Sequence, residues 1–323
     1  MPHLLIAGKI HDAGLALLKD TKGITHDYVT EISHDSYAAL VHKADGLVVR
    51  TQPVPAMTIA KAINLKIVSR HGVGYDAVDV TALNERKIPL AIVGDVNSRP
   101  VAEHAMMLIL ALAKKARSYD NATREGAWSL RNRFDSFELH EKTLLIIGFG
   151  RIGRHVATMA SGFGMTILAH DPGLTPETIR AAGAVPIVSL MEGLALADII
   201  TLHAPKVGDR PLISQPQLAA MKSSAIIVNT ARGTLIDEVA LTEALVTGQL
   251  AGAGLDVFSE EPPPIDHLLL NCENVIVTPH TASLTGEAAV RMAVMSVKNV
   301  LDYFEGRLDP SLVVNRDIIQ FGL

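Results

Sequence analysis

Gly148-Phe149-Gly150-Arg151-Ile152-Gly153 is a GxGxxG run, and its surroundings decide the fold. It follows the apolar run Thr143–Ile147 directly and opens a helix-like stretch through residue 160. Each glycine has a physical task. Gly148 permits a tight turn, Gly150 lets the backbone approach a pyrophosphate, and Gly153 lets helix and strand pack closely. The helix N-terminus then turns unpaired N–H groups and a partial positive charge toward phosphate. The next apolar run, Thr166–His170, ends in Asp171-Pro172. A carboxylate there, 18 residues past Gly153, is placed to accept from a ribose diol and would repel a 2′-phosphate. No arginine follows immediately, so NAD is favoured over NADP. The competing reading is a plain glycine turn with Asp171 as an ordinary turn residue; the complete strand–loop–helix–strand–acid order outweighs it.

Outward from this loop the same alternation continues. Toward the C-terminus, further strand-like runs stand at 198–203, 225–229, 252–256 and 275–278, which makes six with the two already quoted. Six such runs with helical material between them match a complete doubly wound dinucleotide fold. Toward the N-terminus, short apolar runs at 4–7, 46–50, 66–69 and 89–93 are separated by segments long enough for crossover helices. Strands this uniformly apolar suit a parallel sheet covered on both faces. The chain is therefore α/β, with two such units. The join falls in the polar stretch Gly94-Asp95-Val96-Asn97-Ser98-Arg99-Pro100. Residues 101–118, rich in Ala, Leu and Met with no Gly or Pro, predict one continuous buried helix. The tail from Gly286 carries amphipathic helical spacing to Gly306 and is expected to fold back on the first unit.

Composition sets outer limits. The 323 residues suit two domains. The formal net charge of −5 offers no basic footprint for nucleic acid. The single cysteine, Cys272, excludes an intrachain disulfide and a CxxC pair. No apolar run reaches the length of a membrane span, and the N-terminus reads as a first strand rather than a signal peptide. A cytoplasmic protein acting on a small molecule is expected. Among the 13 histidines there is no HExxH or clustered spacing, so no metal site is expected.

Three residues stand at the ends of later strands: Arg232 in Asn229-Thr230-Ala231-Arg232-Gly233, Glu261 in Ser259-Glu260-Glu261-Pro262, and His280 in Thr278-Pro279-His280-Thr281-Ala282-Ser283. Ligands of a doubly wound sheet bind beyond the carboxyl ends of its strands, so these three can converge. Histidine suits proton transfer to a carbonyl oxygen near neutral pH. A carboxylate beside it favours the imidazolium and orients the ring. Arginine can pair with a substrate carboxylate and polarise a carbonyl. Singly, each has an ordinary reading: a surface loop carboxylate, a strand-end cap, a buried satisfied histidine. Jointly those readings lose ground.

With these residues in place, the chain resembles the D-isomer-specific 2-hydroxyacid dehydrogenases, particularly the phosphoglycerate dehydrogenase and hydroxypyruvate reductase branch. The resemblance rests on His71-Gly72-Val73-Gly74-Tyr75-Asp76, Val101-Ala102-Glu103-His104, the GxGxxG, and Leu202-His203-Ala204-Pro205. It extends over Asn229 to Gly233, Leu235-Ile236-Asp237-Glu238, Gly254-Leu255-Asp256-Val257-Phe258, Glu261-Pro262 and Thr278-Pro279-His280. It implies a Rossmann NAD-binding domain (99–284) inserted in a discontinuous flavodoxin-like substrate domain (1–98 and 285–323). The implied reaction interconverts an (R)-2-hydroxy acid and its 2-keto acid. Arg232, Glu261 and His280 match the catalytic positions, and Val73 and Gly74 the loop that holds the substrate carboxylate. Arg151, Ile152, Asp171, His203, Ala204, Pro205, Thr230, Ala231, Asp256 and Ser283 match cofactor-lining positions beside Gly148, Gly150 and Gly153. A homodimer through the NAD domain is also implied, with the arm 119–140 and Trp128 at the interface.

The chain departs from the family pattern at Pro205-Lys206-Val207 and at Glu141. Nothing follows Leu323 in the sequence, and the expectation drawn from this is that serine-type feedback control is absent. Arg50 lies where some phosphoglycerate dehydrogenases place a phosphate-binding arginine. Either it grips an anionic substrate tail with Arg70 and His71 adding positive character, or Arg50 and Arg70 are tied to carboxylates such as Asp45 or Asp76. An NAD(H)-sensing, corepressor-like binding protein is the alternative from another class. Formate dehydrogenase is disfavoured by the glutamate at 261.

Overall fold

Parallel strands form where the chain offers short, uninterrupted apolar runs, since both faces of such a strand are covered by helices. The computed structural model describes residues 1–31, 33–206, 208 and 210–319. Val207 and Leu323, on which two sequence readings touch, lie outside the described residues. The chain divides into two compact units, Met1–Asn97 with Leu284–Leu323, and Ser98–Ser283.

The first unit is built on β1 (His3–Ala7), β2 (Thr25–Val29), β3 (Gly46–Val49), β4 (Ile67–Arg70) and β5 (Leu90–Ala91), all parallel, in the order β2-β1-β3-β4-β5. Alternation along each strand feeds two cores. Leu5, Leu47, Val49 and Val68 pack with Tyr37, Ile59 and Leu83 on one face. Leu4, Ile6, Val48 and Ile67 pack with Ala293, Val297 and Val300 of the C-terminal helix Gly286–Phe304 on the other. That helix is started by Thr285, whose side chain accepts from the Ala288 N–H, the usual device for satisfying a free first-turn donor. The buried Asn299 amide donates to the Ile92 carbonyl at 3.0 Å.

Two features of this unit differ from the sequence reading. The polar run Thr25-His26-Asp27-Tyr28-Val29 is not among the strand-like runs read from the sequence, yet it forms β2. This is an edge strand, exposed or half-buried throughout, and edge strands need no apolar run. β5 is shorter than the run at 89–93. The Ile92 N–H donates to the Leu312 carbonyl, and the Val314 N–H to Leu90. The C-terminal segment so pairs antiparallel with the end of β5 at Ala91 and Val313.

The second unit carries β6 (Thr143–Ile147), β7 (Thr166–His170), β8 (Val185–Pro186), β9 (Ile199–Leu202), β10 (Ile226–Asn229), β11 (Gly252–Leu255) and β12 (Val275–Val277). All are parallel, in the order β12-β11-β10-β9-β6-β7-β8. The order reverses between β6 and β9, the point at which such sheets open a crevice for ligands. There are seven strands among the described residues, against the six read from sequence. The extra one, β8, is a two-residue edge containing Pro186, and proline lacks the donor a central strand requires.

The stretch 101–118 is not one helix. A helix Ser98–Ala113 is followed by a second, Ala116–Arg124, with Lys115 left-handed between them at φ 52°. The break comes where core demand ends. Ala102, Ala105, Leu108, Ile109, Leu112 and Ala113 are buried against the sheet, whereas Lys114 and Glu125 are exposed. Absence of Gly and Pro favours continuity, but local propensity yields to packing.

Candidate active site

The glycine loop joins β6 to the helix Arg151–Ser161, which Gly150 caps without a side chain. Gly148 has φ 88°, and a β-carbon there would lie 2.6 Å from the Ala204 nitrogen. One on Gly153 would lie 2.3 Å from the Gly148 carbonyl oxygen. These two positions have no room for a side chain. Gly150 is different: a β-carbon there would have no neighbour within 4 Å. Open space in front of a helix N-terminus is what an anionic group needs. Asp171, at the end of β7, holds the loop from behind. One carboxylate oxygen accepts the Phe149 N–H at 2.8 Å, and the other accepts the Gly173 N–H at 2.9 Å. Each oxygen keeps a second lone pair for a ligand hydroxyl.

The neighbouring strand ends present His203, Ala204 and Pro205 after β9, and Thr230 and Ala231 after β10. The His203 ring meets Thr201 Oγ1 through Nε2 at 2.9 Å. Burial alone pushes its pKa down to about 3, so the ring is neutral. Its Nδ1 and the Thr230 Oγ1 are buried without a partner among the described residues. Buried polar atoms are normally hydrogen-bonded. A polar ligand lying across the ends of β9 and β10 would satisfy both. Together with the open approach at Gly150, this set fits a dinucleotide. Arg151 is exposed and Ile152 half-buried in the first turn of the helix, and Ser283 is half-buried at the last residue of the unit.

Glu261 and His280 meet directly: Glu261 Oε2 lies 2.7 Å from His280 Nδ1. The other carboxylate oxygen accepts the Phe258 N–H at 3.1 Å. Burial works to raise the Glu261 pKa, but the His280 bond, the Phe258 N–H and the Arg232 charge outweigh it and hold the carboxyl below its ordinary range. An ionised carboxylate only accepts, so the proton of this contact sits on His280 Nδ1 and Nε2 is the second ring nitrogen. The side chain of His280 is about half exposed. Its backbone is left-handed, φ 51°, a conformation that a non-glycine residue adopts at a cost of about 1 kcal/mol or more.

What holds that backbone is Asp256. The His280 N–H donates to the Asp256 carbonyl at 2.8 Å. The buried Asp256 carboxylate accepts from Thr278 Oγ1 (2.5 Å), Thr281 N (2.9 Å) and Ala282 N (2.9 Å). Both its oxygens thus serve the loop that carries His280. His104 extends this network: its Nε2 lies 2.9 Å from Thr278 Oγ1 and 3.5 Å from Asp256 Oδ1. It stands 174 positions from Thr278, so only the fold could join them.

Arg232 is half-buried after β10, with Nη1 donating to the Ala231 carbonyl at 2.6 Å. The Asn229 side chain ties this turn at both ends, donating to the Arg232 carbonyl and accepting the Ala231 N–H. The next residue, Gly233, is pressed against the segment leading to Glu261. A β-carbon on it would lie 1.8 Å from the Phe258 carbonyl carbon. The Arg232 and Glu261 loops are thus in backbone contact.

The remaining sequence candidates lie in the first unit. Val73 and Gly74 are half-buried in the loop after β4. Arg50, just past β3, donates through Nη1 to the Lys9 carbonyl at 2.8 Å; Arg70 donates to the His71 carbonyl at 2.8 Å. Asp45, one expected carboxylate partner, pairs with Lys66 at 3.3 Å. The reading of His71 as positive is corrected. Burial first, and then the Arg50 and Arg70 charges, lower its pKa to about 4. The ring is neutral at pH 7, and its Nε2 is buried without a partner among the described residues.

Among the described residues no group of three or more His, Cys, Asp or Glu side chains could hold a metal ion, and no helix is long and apolar enough to cross a membrane.

Known proteins resemble this chain in sequence and in fold. Residues 106–282 match the family described as D-isomer specific 2-hydroxyacid dehydrogenase, NAD binding domain. The chain is 38% identical over 315 residues to the D-3-phosphoglycerate dehydrogenase of Methanocaldococcus jannaschii, covering 97% of this chain and 59% of that protein. It is 38% identical over 285 residues to the glyoxylate reductase of Korarchaeum cryptofilum, covering 87% and 85%. The solved structure of the TT0316 protein from Thermus thermophilus superposes with a TM-score of 0.88 at 32% identity, over 97% of this chain and 99% of that one. The chain spans under three fifths of the length of the Methanocaldococcus phosphoglycerate dehydrogenase and of its Archaeoglobus fulgidus counterpart.

Proposed function

The chain belongs to the D-isomer-specific 2-hydroxyacid dehydrogenase family, and from that premise we propose that it interconverts an (R)-2-hydroxy acid and its 2-keto acid with NAD. The observation that carries the reading is the 2.7 Å contact between Glu261 and His280 in the unit that holds the glycine loop.

In the direction of reduction, His280 Nε2 delivers a proton to the carbonyl oxygen as C2 becomes tetrahedral. Glu261, kept ionised by its surroundings, stabilises the imidazolium before the transfer and holds the ring's orientation through it. In the direction of oxidation the same nitrogen takes the hydroxyl proton. Arg232 supplies a fixed positive charge for the substrate carboxylate and for the developing oxyanion. NAD, when bound, accepts or supplies the hydride at C2. The residues that would hold it are Gly148, Gly150 and Gly153 with Arg151 and Ile152 at the helix N-terminus, and Asp171 at the ribose. His203, Ala204, Pro205, Thr230, Ala231 and Ser283 complete the lining; Asp256, expected there from the sequence, is buried with both carboxylate oxygens engaged by the His280 loop and supports the lining from behind. The carboxylate at 171 favours NAD over NADP.

On the substrate side, Val73 and Gly74 offer backbone N–H groups to the carboxylate, and Arg50 an anchor for an anionic or strongly polar C3 tail, as in a phosphoglycerate-type or a hydroxypyruvate- or glyoxylate-type substrate. The reading includes a homodimer through the second unit. Trp128 and Phe134, 66% and 86% exposed beyond the helix Ala116–Arg124, are apolar surface that a second copy would cover. It also includes a cytoplasmic location. Sedimentation velocity tests the former and cell fractionation the latter.

The deciding assay is NADH and NADPH oxidation against phosphohydroxypyruvate, hydroxypyruvate, glyoxylate and pyruvate. NADH-dependent turnover of at least one is the expected result. Silence across the panel with NADH still bound would overturn the enzyme reading in favour of an NAD(H)-sensing protein.

A further inference from the structure

Glu261 sits on an exposed segment, Ser259-Glu260-Glu261, with little burial to fix it. Its carboxylate nevertheless has to meet His280 in a single geometry. Something outside the segment must set its path, and the contacts identify two supports. Gly233 forms the floor under Phe258, as described above. Glu238 forms the clamp.

Glu238 opens the helix Glu238–Val246, whose start is fixed by Asp237 accepting the Val239 and Ala240 N–H groups at 3.1 Å each. From this rigid base its carboxylate takes two bonds from one residue: the Ser259 N–H at 2.7 Å on Oε1 and the Ser259 hydroxyl at 2.5 Å on Oε2. Oε2 also lies 3.3 Å from His267 Nε2. His267 Nδ1 accepts the Leu269 N–H at 3.4 Å, which leaves the proton on Nε2, facing Glu238. The His267 ring stands edge-on to Phe258, centroids 5.6 Å apart. Unlike the segment it grips, the Glu238 side chain is only 13% exposed. Charge-assisted bonds of this kind are about twice as strong as neutral ones. They end two residues before Glu261, on the residue that follows Phe258, whose own N–H binds the Glu261 carboxylate.

We propose that Glu238 is a positioning residue for the Glu261–His280 pair, acting through Ser259; this rests on the catalytic reading given above. Glu238 does not touch the reacting atoms. It sets where the Glu261 carboxylate stands, and thereby the orientation and basicity of His280.

The test compares E238A, E238Q and S259A, alone and combined with E261Q. E238A should lower kcat about 10- to 100-fold, the scale of an ångström-sized misplacement of a catalytic group, with KM for NADH unchanged. The basic limb of the kcat/KM profile should move to lower pH, because a displaced carboxylate stabilises the imidazolium less. E238Q keeps an acceptor for the Ser259 N–H and should restore most of the rate. In the E261Q background, E238A should cost almost nothing further. Wild-type kcat in E238A, or an equal loss in both backgrounds, would overturn the proposal. If E238A fails to fold, S259A decides: it removes one of the two bonds and should lower kcat measurably in wild type but not in E261Q. A measurement independent of turnover is the NMR resonance of the His280 Nδ1 proton, assigned by its loss in H280N. It should shift or broaden in E238A and S259A. An unmoved resonance rejects the positioning role even if no keto acid is turned over, whereas a moved resonance in an inactive wild type rejects only the catalytic reading.

Discussion

The His280 N–H donates to the Asp256 carbonyl at 2.8 Å, while the Asp256 carboxylate, fully buried, braces Thr278, Thr281 and Ala282 on either side of the same histidine. The left-handed backbone of His280 is thus held by one acidic residue through both its main chain and its side chain. Asp256→Asn replaces an acceptor by a donor facing buried N–H groups. It should destabilise the protein by about 1–3 kcal/mol and lower kcat, with thermal unfolding and steady-state rates as the two readouts. An unchanged Tm would show that the loop is held elsewhere.

His280→Ala and Arg232→Ala remove the side chains proposed as proton donor and as carbonyl-polarising charge. Reductions in kcat of about 10²–10⁴ for the histidine and about 10²–10³ for the arginine are expected. NADH binding, followed by fluorescence titration, should stay within a fewfold of wild type. Near-normal turnover in both variants would remove the assigned roles.

The glycines of the loop separate fold from function. Gly153→Ala places a β-carbon 2.3 Å from the Gly148 carbonyl oxygen and should destabilise the second unit. Gly150→Val meets nothing within 4 Å of its β-carbon in the protein, so its Tm should change little while NADH affinity falls by an order of magnitude or more. Equal losses of Tm in the two variants would contradict the open approach at Gly150.

His71 makes the stability of the first unit depend on pH. Its folded pKa of about 4 lies below the ordinary 6.5. The unfolded chain therefore binds a proton between those values that the folded chain does not. The contribution is fully present above about pH 6.5 and is lost as pH falls toward about 4, up to about 3 kcal/mol in all. The lowered Glu261 carboxyl adds a second loss, beginning at the ordinary carboxylate pKa and completed as pH falls through its depressed folded value. His71→Gln should flatten the denaturation midpoint between pH 6.5 and 4; an unchanged slope would mean the ring is protonated without penalty.

Arg50→Ala should raise KM for phosphohydroxypyruvate far more than for glyoxylate, about tenfold or more for the loss of a charged hydrogen bond. Equal effects on the two substrates would leave Arg50 as a structural residue that holds the Lys9 carbonyl.

Much of the second unit is legible in the chain because the information is local. Thr143–Ile147 and Thr166–His170 are strands with the bounds that their apolar runs announce. The three loop glycines follow from turn chemistry over six residues. Arg232 and His280 are legible as strand-end residues because each follows within a few residues of an apolar run that forms a strand, and Glu261 lies in the loop after the strand between them, β11. The edge strands β2 and β8 are not, since an edge needs neither an apolar run nor freedom from proline. The break at Lys115 is not either, since it answers to where the core ends.

By itself, then, the sequence determines the α/β alternation, the glycine loop between β6 and its helix, and the residue types at the strand ends, all of which depend on neighbours within one or two turns of chain. Tertiary structure alone decides which of those residues meet. The His280 ring finds Glu261 across 19 positions, Ser259 finds Glu238 across 21, and Thr278 finds His104 across 174. It also decides that His71, flanked in sequence by a basic residue, is neutral. Hydrogen-bond partners and desolvation are set by distances in space, and a linear sequence carries those only through the fold.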